Sequence, residues 1–285
     1  MMRLAGAGDL AELRGFLERH VETSMFLLGN LEAHGLEGSS HPHATRYFLW
    51  CDPDGALEGV FGATRSGFLM CQMPAITDAA SRAFVAELQG TGVLGITGAE
   101  AQVEAVLKAL PIPVAAWQYN DTQPLYGMAC ADLPDLTPEI RHASEADRPL
   151  LERWFTALEM DTGLASEEAA ARDGKDRAGA AIGSDRFVFL LENGQPVAMS
   201  SINAKAGDAV QVGGVYVPPE LRGKGRGGRV VAHHLTAARS RGTRRAILFA
   251  ASPSAARVYE RIGFERVGDY RVAVLNDAVT IGAAA

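Results

Sequence analysis

A chain of 285 residues with 47% hydrophobic and 21% charged residues has the composition of a globular protein that buries a core, which excludes a disordered chain. A formal net charge of −7 argues against a general nucleic-acid binder, because neutralising phosphates takes an excess of Lys and Arg. No apolar run approaches the roughly 20 residues that cross a bilayer, and Met1 to Leu10 has no basic segment followed by a hydrophobic one, so a cytoplasmic protein without membrane attachment is expected.

The stretch Asp9 to His34 spaces its apolar residues as helices do, through Leu10, Leu13, Phe16 and Leu17, then Phe26, Leu27 and Leu31. Arg46 to Cys51 and Leu57 to Thr64 are β-prone and separated by Asp52-Pro53-Asp54-Gly55, which predicts a hairpin, with Ser66 to Met73 as a third strand. A helix over Asp78 to Leu88 capped by Thr77, a strand near Val93 to Thr97 and a helix from Ala99 to Leu110 ended by Pro111 follow. Cys51, Cys71 and Cys130 are widely spaced and form no CxxC pair, so reduced, buried thiols and no metal centre are expected.

Ala131 to Glu139, acidic and Pro-containing, reads as a linker between residues 1–133 and 138–285. Beyond it the same order of elements recurs. Two helices, Ser144 to Leu158 with Ser144 as N-cap and Glu167 to Ala181, precede strands at Arg186 to Leu191, Val197 to Ala204 and Val210 to Val217. Asn193-Gly194 joins the first two strands as a hairpin turn. A glycine-rich turn, a helix from Gly227 to Arg241, a strand Ala246 to Ala250, a helix Ser254 to Ile262 and strands near Phe264 to Arg266 and Tyr270 to Val274 complete the chain. The recurrence predicts two α/β halves of one architecture.

Charge is unevenly placed. Leu221 to Tyr259 holds no Asp or Glu but contains Arg222, Lys224, Arg226, Arg229, Arg239, Arg241, Arg244, Arg245 and Arg257, which points to an anionic ligand on this lobe. No aromatic interleaving for base stacking accompanies these cations, so RNA is the weaker reading. Within VQVGGVYVPPELRGKGRGG (Val210 to Gly228), Pro218-Pro219 ends the strand, and glycines at 223, 225 and 227 let the backbone turn its N–H groups toward a ligand at the start of a helix. A Walker A loop requires Ser or Thr after the Lys, and Lys224 is followed by Gly225. A dinucleotide GxGxxG turn follows a βαβ strand, whereas this strand belongs to a hairpin series.

Arg222 to Gly227, RGKGRG, fits the pattern [QR]-x-x-G-x-[GA], and SPSAARVYERIGF (Ser252 to Phe264) is similar to N-x-x-A-x-x-L-Y-E-x-x-GF. Together with YVPPELRGKG, these segments make the last 150 or so residues resemble the GNAT superfamily of acyl-CoA N-acyltransferases. The resemblance implies an α/β (α+β) fold with a mixed, mostly antiparallel sheet flanked by helices, and acetyl-CoA as acyl donor. It further implies that Val215 and Val217 pair with the pantetheine arm, and that Arg222, Gly223, Lys224, Gly225, Arg226 and Gly227 hold the pyrophosphate. Tyr259 would protonate the departing thiolate. Ser252 stands where the family often has Asn, and Gln211 where some members have a Glu base. An amide cannot take the amine's proton but can orient a water, so a water chain, Glu159 or Asp161 is the expected acceptor of that proton. The N-terminal half offers QMPAITDAAS (Gln72 to Ser81) in place of the loop, with no glycine and no cation, and is expected to be GNAT-like in shape but silent toward CoA. The implied function is acetyl transfer to a primary amine of a small molecule or peptide; a non-catalytic acyl-CoA-binding regulatory module is the alternative.

Overall fold

The apolar periodicity of the N-terminus is realised as α1 (Leu10–Glu18) and α2 (Val21–His34), which follow a short strand β1 (Met2–Leu4) in a computed structural model describing residues 1–137, 139–162 and 167–282. β2 (Thr45–Cys51), β3 (Leu57–Thr64) and β4 (Phe68–Gln72) form an antiparallel series. The Asp52 carboxylate fixes the β2–β3 turn by accepting from the N–H groups of Asp54 at 2.9 Å and Ala56 at 2.8 Å. α3 (Asp78–Ala86) starts at Thr77, whose hydroxyl accepts from the Ala80 N–H at 3.1 Å, as the sequence predicts. β5 (Gly92–Ala99) then runs parallel to β4, and α4 (Glu100–Ala109) follows. Phe48, Phe61 and Phe84 anchor the core between sheet and helices.

The next strand, β6 (Trp117–Ala129), is absent from the sequence reading, because Gln118 to Pro124 is polar and lacks clean alternation. Its Leu125–Ala129 portion is a strand because it pairs with β11, described below.

The second half opens with β7 (Ile140–Arg141), α5 (Arg148–Thr162) and α6 (Glu167–Ala181). Ser144 caps the turn leading into α5, its N–H and hydroxyl both donating to Asp147 at 2.8 and 2.9 Å. Arg141 holds the same carboxylate with two bonds of 2.7 Å and keeps it well below the usual Asp range. β8 (Phe187–Glu192), β9 (Gln195–Ala206) and β10 (Ala209–Tyr216) continue antiparallel. Asn193 at φ +50° and Gly194 at φ +76° make the tight turn that the Asn-Gly pair predicts. α7 (Arg226–Arg239), β11 (Arg245–Phe249), α8 (Pro253–Glu260) and β12 (Glu265–Thr280) complete the order. One face of this sheet packs Trp154 and Phe155 of α5 on Phe187, Phe189 and Tyr216. The other packs Val230, Val231 and Leu235 of α7 on Val210, Val212 and Leu248.

The fold is a mixed, mostly antiparallel α/β arrangement, with a parallel strand pair in each half, β4–β5 and β10–β11. Compaction divides the chain into Met1–Gln123 with Gly268–Ala285, and Pro124–Val267. The linear division at 133/138 therefore differs from the compaction. Most of β12, a single long strand where the sequence suggests two short ones, completes the first unit's sheet antiparallel to β5, while β6 lies antiparallel to β11 in the second. The supposed linker stretch is anchored rather than loose. Leu133 is buried in the second unit's core, and Arg239 donates to the Leu133 carbonyl at 2.6 Å and pairs with Asp135. Pro138, within that stretch, lies outside the described residues. No helix among the described residues is long and apolar enough to cross a membrane.

Candidate active site

β10 and β11 pair in parallel only from Ala209 to Val212 against Arg245 to Leu248. Beyond Val212 the ladder to β11 stops, and on its other edge β10 shifts register against β9 between Gly213 and Tyr216. Gly214 explains the shift. It has φ +57°, and a Cβ there would stand 2.7 Å from the Ser201 hydroxyl, so the bulge is open only to glycine. The paired glycines Gly213-Gly214 inside a β-prone run were the signal for this bulge, and the sequence reading passed over it.

The open end of β10 leads through Val217 and Pro218 into the glycine loop. Gly223 at φ +83° and Gly225 at φ +70° take left-handed conformations, and no atom lies within 4 Å of a Cβ placed at either. Gly225 is the N-cap of α7 and no side chain caps the helix. Among the described residues the N–H groups of Gly223 to Gly228 have no acceptor, which leaves a row of amides at the positive end of a helix. The side chains of Val215 and Val217 come within 4 Å of a Cβ built on Gly227, so the strand end and the helix start, read separately in the sequence, meet here.

The cations divide differently from the expectation. Lys224 is exposed and has no carboxylate partner among the described residues. Arg226, assigned from the sequence to the pyrophosphate, is instead a buried strut. Its side chain is 8% exposed, donates to the Leu221 carbonyl at 2.7 Å and pairs with Glu192, whose carboxyl it holds below the usual range. Only the Arg226 backbone N–H remains at the loop. Arg222 donates from Nε to the Val217 carbonyl at 2.9 Å and pairs with Asp161, which occupies one acceptor position of a residue implied in pantetheine pairing. Arg229, Arg239 and Arg245 also have carboxylate partners drawn from outside the basic stretch. Lys224, Arg241, Arg244 and Arg257 are the members of that stretch without one among the described residues. The anionic attraction of this lobe therefore rests on amides and a few cations more than on the raw Arg count.

Tyr259 lies on α8 with its ring 6.1 Å from that of Phe264 and is 8% exposed. Its hydroxyl has no partner among the described residues, whereas the Tyr126 hydroxyl donates to Glu260 at 2.8 Å. Burial pushes the Tyr259 phenol up to about 12. Ser252 is the N-cap of α8, its hydroxyl accepting from the Ala255 N–H at 3.2 Å, which explains why Ser serves at this position. Gln211 is buried, donates from Nε2 to the Val212 carbonyl at 2.7 Å, and presents an Oε1 with no partner among the described residues. The two alternative carboxylates are both held by arginines, Glu159 by Arg177 and Asp161 by Arg222.

A glycine contact couples the loop to Tyr259. A Cβ on Gly228 would stand 3.0 Å from Cγ1 of Val258 and 3.4 Å from Cγ2 of Ile262, so the first turn of α7 rests directly on the helix that carries Tyr259. Gly228→Val is expected to force α7 and α8 apart and lower stability by about 1–3 kcal/mol. Denaturant unfolding checks this; a variant as stable as the wild type would uncouple the two helices.

Residues 150–264 match the profile of the acetyltransferase (GNAT) family. Among solved structures, a Drosophila protein is similar over 96% of this chain and 98% of its own, with a TM-score of 0.58 and 14% identity. A GCN5-related N-acetyltransferase from Sphaerobacter thermophilus is similar over 96% and 94% of the two chains (TM-score 0.52, 15% identity), and one from Kribbella flavida over 77% and 87% (TM-score 0.50, 19% identity). At these identities the likeness is one of fold. No curated protein matches the sequence. Over residues 150–264 the chain is an acetyltransferase domain of the GNAT family, and the protein is an acyl-transferring enzyme.

Proposed function

We propose that this enzyme transfers an acetyl group from acetyl-CoA to a primary amine by direct attack in a ternary complex. The observation that carries the reading is the uncapped start of α7 beside the unpaired end of β10. The amides of Gly223 to Gly227 donate to the pyrophosphate, with Lys224 adding charge, and the pantetheine arm extends along Val215 and Val217 as an added strand. The amine nitrogen attacks the thioester carbonyl carbon, the C–S bond breaks, and the Tyr259 phenol gives its proton to the departing thiolate. Gln211 Oε1, an acceptor in need of a donor, orients the water that removes the ammonium proton. Products are the amide and CoA thiol, and Tyr259 regains its proton from solvent.

Among its described residues the first unit lacks these devices. Its parallel pair stays in register from Phe68 to Cys71, the following Met73 N–H is taken by Gln102 Oε1 at 2.9 Å, and the start of α3 is capped by Thr77 with Asp78 beside it. Calorimetric titration is expected to give one acetyl-CoA per chain, and an amine panel with acetyl-CoA is expected to release CoA and gain an acetyl mass on one product. Two equivalents per chain would overturn the silence of the first unit. Binding without CoA release for any amine would favour the regulatory-module reading.

A further inference from the structure

The first unit contains an unassigned pocket of a different kind. We propose that Arg46 and Arg65 form a binding site for a small oxyanion, a carboxylate or a phosphate monoester, where the start of β2 meets the end of β3. This proposal does not rest on the acyl-transfer reading.

A cavity of about 330 Å³ is lined by Arg46, Thr64, Arg65, Ser66 and Thr91, with Gly67 among its walls. An adjoining cavity of about 100 Å³ has the same two arginines in its lining, together with His34 and Glu37. Two cations shared by two neighbouring cavities concentrate positive charge at one place. Neither has a carboxylate partner among the described residues, whereas Arg3, Arg14 and Arg271 of the same unit do. Glu37 forms no ion pair with either.

Arg46 is held in a fixed orientation. Its Nη2 donates to the Thr91 hydroxyl at 2.8 Å, and its guanidinium lies 5.5 Å over the Phe48 ring. Both contacts orient the group without cancelling its charge, and the remaining N–H donors keep the planar fork that matches a carboxylate or phosphate. Because the Thr91 oxygen accepts from Arg46, its own proton is left to donate to a bound anion. Ser66 adds a second hydroxyl, 3.1 Å from that of Thr64. The nearby amides are already used, Arg65 N–H by the Ala44 carbonyl, Ser66 N–H by the Pro42 carbonyl and Phe68 N–H by Thr64. Recognition thus falls to guanidinium and hydroxyl groups. Gly67, at φ +88°, lets its turn press against β5, since a Cβ there would stand 2.8 Å from the Gly92 carbonyl oxygen. The volume lies at the low end of small-molecule pockets, roughly 300–1,000 Å³, and suits a small metabolite anion better than a nucleotide.

The test uses the full chain carrying Gly225→Glu, so that any anion response of the α7 loop is removed. Titration calorimetry and thermal shift with inorganic phosphate, and separately with succinate, are expected to give saturable binding of at least one of them. A phosphate response alone identifies a phosphate monoester as the ligand class, and a succinate response alone a carboxylate. Arg65→Gln, a change at an exposed side chain, should weaken that binding about tenfold, the loss of one charge-assisted bond. Arg46→Gln with Arg65→Gln should abolish it, with Thr91→Val as a milder variant if the double change unfolds. No saturable response to either anion, or a response unchanged in Arg65→Gln, would overturn the site.

Discussion

Tyr259→Phe is expected to lower kcat by about 10²- to 10⁴-fold, the usual contribution of a positioned general acid, with little change in acetyl-CoA affinity. In the proposed mechanism the hydroxyl matters only once the sulfur carries developing negative charge, so its loss would be felt in turnover and not in ground-state binding. Water can replace part of the lost donor and draw the effect toward the lower figure. The ring survives the substitution, and with it the edge contact to Phe264 at 6.1 Å, so the melting temperature should barely move. The pH profile adds a second readout. Burial disfavours the charged phenolate and holds the group up to about 12, so Tyr259 stays a proton donor through neutral and mildly alkaline pH. An alkaline fall in kcat well below that value would belong to another group and should persist in Tyr259→Phe. Full kcat in a folded Tyr259→Phe would make Tyr259 a packing residue.

Gly225→Glu is expected to weaken acetyl-CoA binding by about 100-fold or more while leaving the protein folded. No atom lies within 4 Å of a Cβ at this position, so the side chain fits. The left-handed φ of +70° costs a non-glycine residue about 1–2 kcal/mol, which a domain of this size tolerates. The larger effect is electrostatic. The new carboxylate stands at the N-cap of α7, where it can accept from the orphan amides and oppose the pyrophosphate with like charge. Losing two charge-assisted bonds of about 1.5–3 kcal/mol each accounts for the size of the loss. Gly225→Asn separates the two causes, since Asn tolerates the left-handed region and carries no charge, and it should retain most of the affinity. Calorimetry that finds Gly225→Glu within a few-fold of the wild type would move the pyrophosphate away from this loop.

The sequence by itself determined the parts of the fold and of the site whose chemistry is local. Gly223 and Gly225 are glycines because the backbone turns left-handed there, Thr77, Ser144 and Ser252 are short polar caps because helix starts leave amides unpaired, and Asn193-Gly194 is the pair that a tight hairpin turn requires. Such choices depend on a few neighbouring residues and can be read in order along the chain. Tertiary structure alone decided what depends on partners distant in sequence. Arg226 looks like a phosphate ligand beside Lys224, but Glu192 from the end of β8 takes its side chain into the interior. Arg229, Arg239 and Arg245 look like a basic surface until Glu139, Asp135 and Asp208 are brought against them. Trp117 to Ala129 carries little strand pattern of its own and is a strand because its end finds β11, while the tail of the chain crosses back to close the sheet against β5. Local propensity cannot encode these pairings, since the free energy of an ion pair or a strand ladder exists only once both partners have been brought together.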